Sequence, residues 1–230
     1  MTPALLEAIL DHARAETPRE ACGVLIWDGA NDAIYRPCLN VAEGDDHFQI
    51  DPEDWVAAED AGPVLGIVHS HPGGTVEPSP ADLLGISRSG VPWWIVTPEG
   101  DWKRYTPPSW KVLGHPFAWG VSDCLTLARD CYAGIPDAVR GSGFWRLHDL
   151  FTEGIGAAHF EVVTDGPEPD DLLLMSIRGV VDGVKVPNHC AVYVGSGRIA
   201  HHMPGRFSRE EDMGPLGRAV VATLRRTHAA

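Results

Sequence analysis

The chain has 230 residues, enough for two domains with modest cores, and its 44% apolar content contains no run near the roughly 18 residues that a membrane span needs. A net charge of −14, with no basic cluster longer than the pairs Lys103-Arg104 and Arg225-Arg226, argues against nucleic acid or an anionic membrane as the partner. The cysteines at 22, 38, 124, 131 and 190 lack paired spacing and predict no disulfide framework, and the acidic N-terminus does not read as a signal peptide, so synthesis in a cytoplasm is expected.

Thr2 as cap and Pro3 as first residue open a predicted amphipathic helix to Glu16, with Leu5, Leu6, Ile9, Leu10 and Ala13 at helical spacing. Ala21 to Asp28 and Ala33 to Leu39 read as a hairpin turning at Gly29, Ala30 and Asn31, and Phe48 to Ile50 as another short strand. Asp51 caps a helix from Pro52 to about Asp60. Pro63 to His71 is then a strand, Asp82 to Ser89 a helix, and Trp93 to Thr97 with Trp102 to Tyr105 a last hairpin. Strands flanked by helices predict an α+β or α/β class, with a first domain over residues 1–106. The proline-rich stretch 107–115 reads as a linker of restricted flexibility. No internal repeat is visible, so residues 116–230 are expected to form a different domain.

The segment from Val68 to Asp82 carries the chemistry of the first half. His69 and His71 are two apart on a predicted strand, so both imidazoles leave one face about 6 to 7 Å apart along the backbone. Pro72, Gly73 and Gly74 end the strand, and Ser79 with Pro80 starts a helix that carries Asp82 in its first turn. Two imidazoles and a carboxylate leave a tetrahedral zinc one open position, the catalytic arrangement rather than the structural one. The bland reading of His69 and His71 is a pair of surface histidines near a turn. The whole pattern, His-x-His-Pro followed by Ser79 and Asp82, resembles the signature of the JAMM (MPN+) metallopeptidases. That resemblance implies zinc on His69, His71 and Asp82, Ser79 steadying the reacting oxyanion, and Glu20 as the base that takes a proton from the attacking water.

In the second half, Ser122 or Asp123 caps a predicted helix with Cys124, Leu127, Ala128 and Cys131 on one face. Cys124 falls in the first turn, where the helix dipole favours a thiolate, while Cys131 is expected in the core. Pro187 to Gly195 reads as a strand with Cys190, Val192 and Val194 on its apolar face, which assigns Cys190 to the core and leaves His189 for a site. Arg198 to His202 returns as the next strand and brings His201. A cysteine, a histidine and an orienting group form the nucleophile-base-orienter set of cysteine hydrolases. The stretches Pro-Phe-Ala-Trp-Gly-Val-Ser-Asp-Cys, Asn-His-Cys-Ala-Val-Tyr-Val-Gly and Ile-Ala-His-His resemble the NlpC-type branch of the papain-like cysteine peptidases. By that resemblance Cys124 is the nucleophile, His189 the base and His201 the third residue, with His202 as the alternative for that third role. Phe117 stands where many relatives carry a tyrosine, and Asp170-Asp171 replaces the usual Gly-Asp.

A JAMM-type half followed by an NlpC-type half resembles the tail assembly proteins of lambda-like phages and prophages. What this implies is a tail-tip hydrolase, made in the host cytoplasm and located on the virion tail. Its partners would be phage tail-tip proteins and peptidoglycan peptides, without nucleic acid and without a membrane anchor. The alternative is a structural tail-tip component or assembly factor whose peptidase sites are idle or act only in maturation. Trp93, Trp94, Trp102 and Trp110 are expected in the core or at a domain interface, Glu43, Asp45, Asp46 and His47 in a solvated loop, and Trp145 and His148 beside a groove, in the core or at the surface.

Overall fold

In the computed structural model, which describes residues 1–132, 160–181 and 183–227, the chain divides into the units Met1–Lys111 and Val112–Ala230. Trp145 and His148 lie outside the described residues.

The first unit begins with α1 (Pro3–Glu16), capped as expected by the Thr2 hydroxyl, which accepts from the Leu5 N–H at 3.3 Å, and it buries Leu5, Ile9, Leu10 and Ala13. Next come β1 (Cys22–Trp27), β2 (Ala33–Cys38), α2 (Pro52–Ala61), β3 (Val64–Ser70), α3 (Pro80–Ser89), β4 (Trp93–Val96) and β5 (Trp102–Tyr105). The strands form one sheet in the order β2-β1-β3-β4-β5. Only the β3/β4 pairing is parallel, and α3 supplies the crossover that a parallel pair requires. The central strands β1, β3 and β4 are apolar nearly throughout because both of their faces are covered. Trp93 and Trp94 are buried as expected. Gly85 lets α3 lie close to β4, since a Cβ there would come within 2.4 Å of the Trp93 ring.

Phe48 to Ile50 does not form the expected strand, and makes only an isolated bridge between Asn40 and Ile50. Backbone bonds from Val41 N–H to the Gln49 carbonyl and from Asp51 N–H to the Leu39 carbonyl flank that bridge, and the Asn40 side chain adds to them: its amide donates to the carbonyls of Glu20 and His47, and its oxygen accepts from the N–H groups of Ala42 and Gln49. Phe48 packs over the His69 ring.

In the second unit, α4 (Cys124–Cys131) is followed by β6 (Phe160–Val163), β7 (Leu172–Met175), β8 (Val180–Val181), β9 (Val184–Lys185), β10 (His189–Gly195), β11 (Arg198–His201), β12 (Arg209–Asp212), a 3-10 turn (Gly214–Ala219) and β13 (Val220–Arg226). Six strands form an antiparallel sheet in the order β12-β11-β10-β7-β13-β6, and β8 pairs with β9 apart from it. Alternation sends Leu172, Leu174, Cys190, Val192 and Ala200 to the face against α4, and Leu173, Met175, Ala191 and Ile199 to the face packed by Met213 and Leu216. Cys190 is in the core as its parity predicts. Cys131 is not: it is exposed at the last turn of α4, because the helix ends there and Tyr132, in extended conformation, takes the core position instead. Tyr132 also donates its hydroxyl to the Asp170 carbonyl at 2.8 Å. The buried Asp171 carboxylate, just before β7, receives both Nε and Nη2 of Arg225 on β13, at 3.0 and 2.9 Å, tying these two neighbouring strands together. The molecule is α+β, with a mixed sheet flanked by helices in one unit and a helix on an antiparallel sheet in the other.

Candidate active sites

His69 is the penultimate residue of β3, and His71 follows the strand. The β1/β3 register sets Cys22 opposite His69, which brings Glu20, just before β1, alongside His71. On the other side, α3 delivers Asp82 through a reciprocal cap: Ser79 Oγ accepts from the Asp82 N–H at 3.1 Å, and Asp82 Oδ2 accepts from the Ser79 N–H at 2.7 Å. The result is a tight cluster. His69 Nε2 and His71 Nε2 are 2.9 Å apart, and each lies 3.3 Å from an oxygen of Asp82. Glu20 stands further off, with Oε1 3.9 Å from His71 Nε2. Glu20, His69 and His71 offer donor atoms within 4.8 Å of one another, so both Glu20 and the nearer Asp82 stand within reach of an ion held by the two imidazoles.

These donors fit zinc. Ligands at 2.0 to 2.2 Å in a tetrahedron stand about 3.4 Å from each other, close to the separations found here. His71 Nδ1 meets the Thr75 carbonyl at 2.7 Å and donates to it, an anchor that would let Nε2 serve as a ligand once it gives up the proton it shares with Asp82, whose hydrogen bond raises the imidazole above its ordinary value. Among the described residues His69 Nδ1 has no hydrogen-bond partner, and its ring is held by stacking on Phe48 at 4.6 Å and by the edge of Trp93 at 5.5 Å. Burial raises the Asp82 carboxyl, but hydrogen bonds from both histidines and Ser79 outweigh it and hold this group far below the carboxylate range. Burial pushes Glu20 the other way, up to about 7, against the pull of His71 and with help from Asp82. One carboxylate is thus fixed as an anion, while its neighbour can exchange a proton near neutrality. The cluster opens into a cleft of about 600 Å³, whose lining includes Ser79 and the loop residues Asp45, Asp46 and His47, so this exposed acidic loop rims the cleft.

In the second unit the cap is Asp123. Its carboxylate accepts from the N–H groups of Gly120, Leu125 and Thr126 at 2.7, 3.0 and 3.1 Å, which starts α4 with Cys124 at its first position. The Cys124 thiol meets His189, the first residue of β10, and the thiol of Cys190. Cys190 Sγ also donates to the Cys124 carbonyl at 3.1 Å, so this core cysteine lies directly beside the predicted nucleophile. Burial would raise the Cys124 thiol, but the hydrogen bond with Cys190 and the charge and hydrogen bond of His189 prevail and hold it well below the ordinary thiol value. Cys131 is exposed as a residue, yet partial burial of its thiol, and after it the charges of Asp130 and Asp170, push it up to about 11.

The two candidates for the third position separate cleanly. His201, at the end of β11, places Nδ1 3.1 Å from His189 Nε2 and is buried. His202 instead packs its ring against Phe117 at 5.1 Å, and burial drives its imidazole down to about 4. Phe117 is itself buried between His202 and Trp119. Sequence reasoning missed Glu211 on β12, whose Oε1 lies 2.8 Å from His201 Nε2. It sits in the charged run Arg209-Glu210-Glu211-Asp212, where only the β11/β12 pairing distinguishes it from its neighbours.

Residues 2–112 match the family model described as prokaryotic homologs of the JAB domain. The tail tip assembly protein K of Escherichia phage lambda is 38% identical over 184 residues, covering 77% of this chain and 86% of that protein. The protein of the same name from Escherichia phage N15 is 31% identical over 227 residues, covering 91% and 88%. Among solved structures, a JAB1/MPN domain protein from Archaeoglobus fulgidus is similar at 28% identity over 44% of this chain and 83% of its own, with a TM-score of 0.30.

Proposed function

The chain belongs to the tail tip assembly protein K family, and from that premise we propose that it is a tail-tip hydrolase with two separate peptidase sites, the second acting on peptidoglycan stem peptides to help genome entry. The observation that carries this reading is the contact of Cys124, at the start of a capped helix, with His189, and of His189 with His201. In the proposed reaction the Cys124 proton passes to His189 and the thiolate attacks the scissile carbonyl. His189 then protonates the departing amine, leaving a thioester on Cys124. Water, deprotonated by the same imidazole, releases the acid and restores the thiol.

For the first unit we propose a zinc-dependent peptidase over residues 1–106, followed by a linker over 107–115 and the cysteine peptidase over 116–230. His69, His71 and Asp82 would hold the metal. Bound zinc supplies Lewis acidity, lowering the pKa of water to about 7 and polarising a carbonyl. Glu20, with its carboxyl near neutrality, takes the proton of the attacking water and hands it to the leaving amine. Ser79 uses its oxygen as acceptor in the helix cap, which leaves the hydroxyl hydrogen to be donated to an oxyanion in the cleft. Within the described residues no helix is long and apolar enough to cross a membrane.

The test is digestion of purified peptidoglycan with mass analysis of the released fragments. New stem-peptide termini that disappear in Cys124→Ser support the hydrolase. Intact sacculi favour the second reading, a tail component or assembly factor with idle sites, which rests on the name carried by the two phage relatives.

A further inference from the structure

His201 is enclosed, and both of its ring nitrogens are engaged, Nδ1 with His189 Nε2 at 3.1 Å and Nε2 with Glu211 Oε1 at 2.8 Å. An ionised carboxylate only accepts, so the His201 nitrogen facing it must carry a proton. Glu211 is kept ionised by its surroundings: burial would raise its carboxyl, but His201 and Arg209 lower it further, Arg209 binds Oε2, and Arg206 Nη1 lies 3.8 Å from Oε1. Burial first, then His189 and Arg209, keep His201 below its ordinary value against the pull of Glu211, so the ring carries a single proton near neutrality. With that proton on Nε2, the His201 Nδ1 lone pair must accept from His189 Nε2–H. The remaining nitrogen of His189, Nδ1, is then the lone pair available to the Cys124 proton. The opposite tautomer of His201 would set two acceptors 2.8 Å apart at Glu211 and would leave His189 protonated on the side of the thiol.

We propose that Glu211 is a positioning residue of the cysteine site, fixing the tautomers of His201 and His189 so that the basic nitrogen faces Cys124. This rests on the cysteine-peptidase reading and extends its chain by one group. The strand beside His201 divides its acids for this purpose. Glu210 is taken by Arg198, whose Nε lies 2.6 Å from Oε1, while Glu211 reaches diagonally to His201, the register pairing His201 with Arg209 and Ile199 with Glu211.

The experiment uses the full chain and needs no substrate. In the wild type, long-range proton–nitrogen NMR at about pH 7 should find His201 protonated on Nε2; a proton on Nδ1 overturns the proposal. The pH profile of Cys124 alkylation by iodoacetamide supplies the second readout. The groups facing the reacting pair are His189, Cys190 and Asp123 at Cys124, and Glu211, Arg209, Arg206 and His189 at His201. Glu211→Ala removes the acceptor and leaves the two arginines unopposed beside His201, both of which disfavour an imidazolium at His189, so the midpoint should rise by about one unit. Glu211→Gln, whose amide oxygen still accepts from Nε2–H, should keep the tautomer and shift the midpoint less. A wild-type midpoint at the ordinary thiol value defeats the cysteine-site reading itself. A depressed wild-type midpoint that Glu211→Ala leaves in place defeats only the role of Glu211. Should Glu211→Ala fail to fold, the tautomers of the wild type and Glu211→Gln decide.

Discussion

In the first unit, His69, His71, Ser79 and Asp82 come from one strand-turn-helix segment, and only Glu20 is brought in, by the β1/β3 pairing. In the second, Cys124, His189, His201 and Glu211 come from α4, β10, β11 and β12. The first cluster packs imidazoles and carboxylates against each other in a half-closed cleft, at separations close to those between the ligands of one zinc ion. In the second, the Cys124 thiol is lowered by hydrogen bonds and the charge of an imidazole against its burial. A local site of the first kind survives small shifts in the rest of its sheet. A distributed site of the second kind works only while three strands keep register and α4 stays docked.

The largest expected effects separate the sites by chemistry. Cys124→Ser should reduce wall-peptide cleavage by about 10³-fold or more, as loss of a catalytic-set member does, with zinc content unchanged. His189→Ala should slow Cys124 alkylation as well as cleavage, and His201→Ala should reduce cleavage less. In the other unit, His71→Ala should drop bound zinc well below one equivalent by metal analysis, because one of three protein ligands is lost. Glu20→Gln should retain the metal while losing hydrolysis. Equal loss of zinc in both variants would make Glu20 a ligand and Asp82 mainly the partner of the helix cap.

A smaller effect tests whether the contrast is real. A chelator should leave cysteine activity largely intact, and a thiol alkylator should leave zinc content unchanged. Iodoacetamide at about pH 6 to 7 should select Cys124, whose thiolate is favoured, over Cys22, which burial pushes up to about 12, and Cys38 and Cys131, pushed up to about 11. Inhibition in both directions would mean one composite site.

The local site was largely legible in the sequence for the same reason that it is local. Strand parity puts His69 and His71 together, and the Ser79-Pro80 helix start carries Asp82, so only the reach of Glu20 needed tertiary pairing. The distributed site was legible in its members with strong local grammar: Asp123 caps, Cys124 follows, and alternation assigns Cys190 inward. It was illegible where strand register decides. His201 and His202 are neighbours in sequence, and one reaches His189 while the other packs against Phe117. Glu211 cannot be told from Glu210 without the partner strand. Cys131 was misplaced because helical periodicity extends the apolar face to it, whereas α4 stops and Tyr132 fills that space. The strand expected at Phe48 shrinks to a single bridge with two flanking backbone bonds, since its partner segment turns away after Val41.

The smallest effect concerns the register on which the second site depends. Asp171, replacing nothing in the catalytic chain, ties β7 to β13 through Arg225, and β7 pairs with β10, which begins at His189. Burial raises the Asp171 carboxyl, but Arg225 and the Glu168 N–H outweigh it and lower it below its usual value. A carboxyl depressed in the folded state adds stability above its unfolded value, about 3.9, and loses that contribution as pH falls through the lower folded value. Asp171→Asn should therefore lower the melting temperature of the second unit at pH 7 by roughly 2 to 5 °C, with the gap narrowing below about pH 4. The first unit's transition and its zinc content should not move. Calorimetry across that pH range reads both transitions, and a gap that widens on acidification would mean that Asp171 is not held as an anion in the folded protein.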